Sequence, residues 1–183
     1  MEISEDHLKS TLTLDELDRY KRHISLNEIG EEGQIKLKNS SVIFIGAGGI
    51  GSAALLYSAA AGIGKIGIVD NDQVDKSNLQ RQIIHSNCSI GKNKTDSAKK
   101  TILELNPNCK VITYDERIST QNILKIISEF DIVCDCSDNF GTRYLINDAC
   151  IILQKPFIFG AVQGFEGQVT VFNLNKFSPN LRD

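Results

Sequence analysis

The sequence has no Cys-x-x-Cys pair, no excess of basic residues and no long apolar run, and each absence removes a class of protein. Its five cysteines are Cys88, Cys109, Cys134, Cys136 and Cys150. An odd number without paired spacing argues against both a disulfide framework and a thiolate zinc site. Cys134 and Cys136 alternate within an apolar stretch, so in a strand they share one face and read as core thiols. The formal net charge is -3 with a pI near 5.6. No broad basic surface is available for nucleic acid, and any cationic cluster must be local. Residues 1–13 are polar and mixed in charge, without the apolar segment of a signal peptide, and read as a flexible tail before one domain over 14–183. No stretch is long enough to cross a bilayer, because the alanine-rich run is broken by Tyr57, Ser58 and Gly62. The expected compartment is the cytoplasm, with no membrane partner and no nucleic-acid partner. There is no internal repeat, and His7, His23 and His85 have no partner that spacing reveals.

What remains is an ordinary globular composition, 41% hydrophobic and 23% charged, in 183 residues, enough for one packed domain. Residues 14–29 read as a charged helix and turn, and 31–37 as another short helix. Residues 42–45 are uniformly apolar, the signature of a strand covered on both faces. Further strands are expected at 65–70, 110–114, 131–136, 157–162 and 168–172, and helices at 52–61, 95–105, 122–130 and 143–153. Residues 71–93 form a long polar stretch with few regular features, and such stretches are usually functional or mobile. Strand and helix alternate, which predicts a Rossmann-like α/β fold: a mostly parallel sheet with helices on both faces. The last two strands have no helix between them and should pair antiparallel at the C-terminal edge.

The chemistry concentrates at one edge of that sheet. Gly46-Ala47-Gly48-Gly49-Ile50-Gly51 follows a strand and opens a helix, the context in which a glycine turn binds phosphate. The helix N-terminus adds free N–H donors and partial positive charge. Asp70 closes the second strand, where the dinucleotide fold holds a ribose. The turn and Asp70 fit NAD as well as ATP. Arg81 and Lys94 can meet a polyphosphate, and Asp138, ending a later strand beside Asn139, can hold a hard cation such as Mg2+ through one carboxylate, phosphate oxygens and water. Those three side chains would have no work in a hydride-transfer enzyme. Taken singly, Arg81 and Lys94 are ordinary solvated loop residues.

Arg19-Tyr20-Lys21-Arg22-His23, Gly30-Glu31-Glu32-Gly33-Gln34, the glycine turn, Ser77-Asn78-Leu79-Gln80-Arg81-Gln82, Asp135-Cys136-Ser137-Asp138-Asn139 and Glu166-Gly167-Gln168 occur in that order. Together they resemble the ThiF/MoeB family, adenylyltransferases of sulfur carrier proteins related to ubiquitin-activating enzymes. The resemblance implies that ATP adenylates the C-terminal glycine carboxylate of a ubiquitin-like sulfur carrier ending in Gly-Gly, releasing pyrophosphate, in thiamine- or molybdopterin-type sulfur transfer. It implies a nucleotide site built from Gly46, Gly48, Gly49, Gly51, Asp70, Asp72, Ser77, Asn78, Leu79, Gln80, Arg81, Lys94, Asp138 and Asn139. The catalytic set would be Arg22, Arg81, Lys94 and Asp138, with magnesium on Asp138. Arg22 resembles the arginine that reaches the neighbouring subunit's ATP, which implies a homodimer. On composition alone, Arg22 is a solvated residue of an amphipathic helix.

The chain ends at Asp183, where members of the family continue into a segment with two Cys-x-x-Cys pairs and often a sulfur-transfer cysteine. A fragment of a longer protein, no zinc in this chain and no catalytic cysteine are therefore expected. The competing readings are a non-catalytic nucleotide- and carrier-binding module, an NAD-dependent oxidoreductase, and a relative that activates a transfer RNA substrate.

Overall fold

A computed structural model describes residues 11–175 and 177–183. The six strands are β1 (Ser41–Ile45), β2 (Lys65–Val69), β3 (Lys110–Tyr114), β4 (Ile132–Asp135), β5 (Phe157–Gln163) and β6 (Glu166–Phe172). They form one sheet in the order β3-β2-β1-β4-β5-β6. β1 lies parallel between β2 and β4, with Ile43 opposite Gly67 on one side and Val133 on the other. Only β5 and β6 pair antiparallel, from Phe157 opposite Phe172 to Gln163 opposite Glu166. The order turns back on itself between β1 and β4, the crevice where open α/β sheets hold ligands.

The helices are α1 (Leu14–Arg19), α2 (Lys21–Ile24), α3 (Gly30–Asn39), α4 (Gly49–Ala61), α5 (Lys94–Leu105), α6 (Ile123–Ser128) and α7 (Phe140–Leu153). Alternation along β1 explains the two layers. Val42 and Phe44 face a cluster with Leu55 and Ala59 of α4 and Ala98 and Ile102 of α5. Ile43 and Ile45 face Ile126 and Ile127 of α6 and Ile146 and Ala149 of α7. Period-two side chains on a strand buried on both sides give two cores from one apolar run. Each buried valine, leucine, isoleucine or phenylalanine among them contributes about 1.5–3 kcal/mol.

Several expected boundaries shift for identifiable reasons. The charged helix expected at the start of 14–29 breaks at Tyr20, which turns inward and is 5% exposed. Its hydroxyl accepts from Asn106 Nδ2 at 2.8 Å. The end of the tail expected over 1–13 is held in place: Leu12 is buried, and Thr13 caps α1 in a reciprocal box with Glu16. Residues 1–10 lie outside the described residues. α4 begins at Gly49 rather than at residue 52, so the glycine turn itself supplies the first helical residues. The stretch 71–93 contains two single 3-10 turns, Lys76–Asn78 and Asn87–Ser89. It is closed at its base by a bridge between Gln73 and Asn93 and anchored by buried Val74 and Ile84.

Cys134 and Cys136 do share a face, against the α4–α5 layer, though both are half-buried. Burial pushes the Cys134 thiol up to about 12, Cys150 to about 12 and Cys109 to about 11, and raises Cys136 further still. These thiols stay protonated and inert at neutral pH. No helix among the described residues is long and apolar enough to cross a membrane.

Candidate active site

A cavity of about 790 Å³ opens at the carboxyl ends of β1, β2 and β4. Its floor is the glycine turn, and two of the glycines are forced by the protein itself. Gly46 has φ +107, and a β-carbon there would lie 2.7 Å from the Cys136 carbonyl oxygen. A β-carbon on Gly51 would lie 2.1 Å from the Gly46 carbonyl oxygen. Gly48 and Gly49 are different. A β-carbon on Gly49 would meet only the Arg81 stem at 3.6 Å, and one on Gly48 only Gln82 Nε2 at 3.7 Å. Packing does not require glycine at either, and both line the cavity. Among the described residues no side chain caps the N-terminus of α4, so its first N–H groups are open to an anion.

Asp70 lies beside this turn and braces it. Its Oδ2 accepts from the Ala47 N–H at 2.8 Å, and its Oδ1 accepts from the Asp72 N–H at 2.9 Å. A carboxylate has about four acceptor positions, so it can still receive ribose hydroxyls. Lys94, the first residue of α5, is 5% exposed and lines the cavity. Its ammonium pairs with Asp72 Oδ2 at 2.7 Å, and the Asp72 side chain is 61% exposed. A buried cation is thus held against a solvated anion that a ligand could replace. Arg81 crosses Gly49, donating to Asn78 Oδ1 and Gln80 Oε1, each at 3.2 Å.

Asp138 sits on the opposite wall, exposed, with no hydrogen bond or ion pair among the described residues. Neighbouring Asn139 also lines the wall, but its Oδ1 accepts from the Thr142 N–H at 2.9 Å as the cap of α7. Among the described residues no group of three or more His, Cys, Asp or Glu is arranged for a metal. One exposed carboxylate beside an uncapped helix N-terminus nevertheless fits Mg2+, which takes most of its ligands from phosphate and water.

Of the nucleotide-site residues read from the sequence, Gly46, Gly48, Gly49, Asp70, Asp72, Arg81, Lys94, Asp138 and Asn139 line this cavity. Ser77, Asn78, Leu79, Gln80 and Gly51 do not. Asn78 and Gln80 instead hold Arg81, and the Ser77 hydroxyl donates to Asp75 Oδ1 at 2.5 Å. Gly51 allows the turn to close. Arg22, on α2, is remote: its helix follows Tyr20, which packs against Gly62 just past the far end of α4. Thirteen residues of helix separate that end from the turn by about 20 Å.

Spacing alone missed other lining residues, among them Gln82, Glu116, Arg117, Ile118 and Arg143. Arg143 lies in the first turn of α7, an end of the helix that disfavours cations. It is held there by donating from Nη2 to the Ser137 carbonyl at 3.1 Å and by Asp135 Oδ2 at 4.0 Å from Nε. Burial pushes the Asp135 carboxyl up, against hydrogen bonds from Ser137 and the charge of Arg143. A cation placed against a helix dipole was the available signal.

The ThiF family profile matches residues 20–183. The chain belongs to the ThiF family. A probable molybdopterin-synthase adenylyltransferase of Porphyra purpurea is 51% identical over 174 residues, covering 95% of this chain and 45% of the relative. The adenylyltransferase and sulfurtransferase MOCS3 of Drosophila willistoni is 45% identical, covering 96% and 38%. A probable adenylyltransferase/sulfurtransferase MoeZ of Mycobacterium tuberculosis is 46% identical, covering 89% and 42%. The chain therefore spans less than half the length of these curated relatives. Among solved structures, PaaA superimposes with TM-score 0.84 at 25% identity, covering 98% of this chain and 58% of that one. E. coli MccB with AMPCPP and MccA superimposes with TM-score 0.71 at 32% identity, covering 79% and 43%.

Proposed function

We propose that this chain is the nucleotide-binding part of an ATP-dependent adenylyltransferase that activates the C-terminal carboxylate of a ubiquitin-like sulfur carrier. The observation that carries this reading is the glycine cradle, open at Gly48 and Gly49, between buried Lys94 and Asp138, which has no partner among the described residues. The names of the relatives support it, as does AMPCPP in the MccB structure.

In this reaction a carboxylate oxygen forms a bond to the α-phosphorus, the bond from that phosphorus to the bridging oxygen breaks, and pyrophosphate leaves. Two unit negative charges about 4 Å apart repel by about 4 kcal/mol at an effective dielectric near 20. Positive groups must offset that repulsion, and the geometry must be set in advance. The N–H groups at the start of α4 hold the phosphates, and Asp70 orients the ribose. Lys94 exchanges Asp72 for a phosphate oxygen, and Arg81, aimed by Asn78 and Gln80, neutralises the leaving pyrophosphate. Asp138 would hold Mg2+, which supplies charge neutralisation to the phosphate chain when bound. No side-chain nucleophile is needed, consistent with protonated thiols near the site.

Arg22 is too far from its own cavity to act there, so in this reading it serves the site of a second copy in a homodimer. The cytoplasm is the compartment that fits such an activity. Labelled pyrophosphate should exchange into ATP only when both Mg2+ and a carrier ending in Gly-Gly are present. ATP binding without exchange would leave a nucleotide- and carrier-binding module. Tighter binding of NAD than of ATP would return the site to the oxidoreductase reading. Mixing inactive Arg22→Ala and Asp138→Ala chains should restore part of the exchange, and no recovery would refute the shared site.

A further inference from the structure

His85 is 6% exposed and lies beneath the glycine turn, outside the set of residues that line the cavity. Its Nε2 is 3.0 Å from the Ala47 carbonyl oxygen, and its Nδ1 is 2.9 Å from Ser97 Oγ. A carbonyl can only accept, so Nε2 carries the proton and donates. Nδ1 is then free to accept from the Ser97 hydroxyl. This pair of partners fixes one neutral tautomer of the ring.

The consequence lies in the next peptide plane. In a planar trans peptide the C=O and the following N–H point in opposite directions. The Ala47 carbonyl and the Gly48 N–H share one plane. Drawing the carbonyl down onto His85 therefore turns the Gly48 N–H up, toward the cavity that Gly48 lines. Asp70 holds the preceding plane through the Ala47 N–H. The other end of the ring grips α5 at Ser97, one turn from Lys94 on the same side of the helix.

We infer that His85 is a positioning residue: it pins the Ala47 carbonyl to α5 so that the Gly48 N–H points at a bound phosphate and stays in register with Lys94. This role rests on the nucleotide-binding reading of the cavity. The charged groups around the ring agree with a neutral imidazole. Burial and Lys94 on α5 push its pKa down, whereas the Ala47 contact and Asp70 at the end of β2 push it up, and the result is lower than for an ordinary histidine. Lys94 itself is paired with Asp72.

Two variants separate positioning from bulk packing. His85→Phe keeps a ring but removes both polar contacts, and His85→Gln returns a donor of similar reach. The tests are titration with Mg-ATP, hydrogen exchange of the amides at 46–51, and imidazole nitrogen resonances of the unsubstituted protein. The expected result is a neutral ring protonated at Nε2, an affinity loss of roughly tenfold or more in His85→Phe, and recovery of most of it in His85→Gln. A folded His85→Phe that binds Mg-ATP as tightly as the original chain overturns the inference, as does a ring protonated at Nδ1 alone. Should His85→Phe not fold, the decision falls to His85→Gln, whose affinity must stay close to the original. Should the unsubstituted chain bind no nucleotide, the reading of the cavity fails. The pin is then tested alone, and unchanged exchange at 46–51 in a folded His85→Phe overturns it.

Discussion

Alanine at Gly49 and alanine at Gly51 should fail in opposite ways, although the two glycines are two residues apart on the same turn. At Gly51 the added β-carbon would lie 2.1 Å from the Gly46 carbonyl oxygen and 3.0 Å from its carbon. The turn must then open by about an ångström. Gly46 cannot retreat easily, because its own Cα side faces the Cys136 carbonyl. Overpacking of this kind costs about 1–3 kcal/mol or more. At Gly49 the nearest atoms to the β-carbon are Arg81 Cδ and Cγ at 3.6 Å and Nε at 3.9 Å, ordinary contacts. Gly49 is the first residue of α4 and has no left-handed φ, so alanine should leave stability unchanged or raise it by up to about 1 kcal/mol. Its methyl group would, however, stand between the helix N-terminus and a phosphate. Losing one or two N–H bonds to a charged acceptor costs about 1.5–3 kcal/mol each, a fall in ATP affinity of at least roughly tenfold. Urea melts and Mg-ATP titrations on both variants make the comparison. A folded Gly49→Ala that binds ATP normally would refute the cradle, and a Gly51→Ala as stable as the original chain would refute the steric argument.

Lys94→Met should change stability by less than about 1 kcal/mol, since the Asp72 side chain left behind is 61% exposed and regains water; pyrophosphate exchange should be lost, and retention of exchange would remove Lys94 from the mechanism. Thr13→Ala removes the cap of α1 and should cost about 1 kcal/mol in urea unfolding with ATP affinity untouched. The lowered pKa of His85 means the unfolded chain binds its proton more readily. Stability from this group is therefore complete above the ordinary histidine pKa of about 6.5 and declines as pH falls below it, with a slope of up to about 1.4 kcal/mol per pH unit. His85→Gln should flatten that part of the profile, and an identical slope in both chains would contradict the assignment.

How much of this was legible beforehand follows from range along the chain. The bare apolar run at 42–45, the glycine turn that follows it and Asp70 at the end of the next strand are local patterns, and local periodicity is enough to read them. Tyr20 was not legible as a break, because what turns it inward is Asn106, far away in sequence. His85 has the same character: nothing near it in sequence points to Ala47 or Ser97. The motif groups Asn78 and Gln80 with the ligand contacts, and only the structure shows that their side-chain oxygens accept from Arg81. A motif specifies which residues travel together, not which of them faces the cavity.

The sequence by itself determined the alternation of strands and helices, the parallel sheet with its antiparallel edge, and the glycine turn between β1 and α4. Each is encoded by residue type and short spacing, through side-chain period and the steric freedom of glycine. Only the tertiary structure decided that Lys94 is a buried cation, that Asp138 has no partner among the described residues, that Arg143 joins the wall and that the helix carrying Arg22 lies toward the end of α4 away from the cavity. Burial and charge pairing are set by groups brought together from distant parts of the chain, and spacing along a sequence carries no measure of that distance.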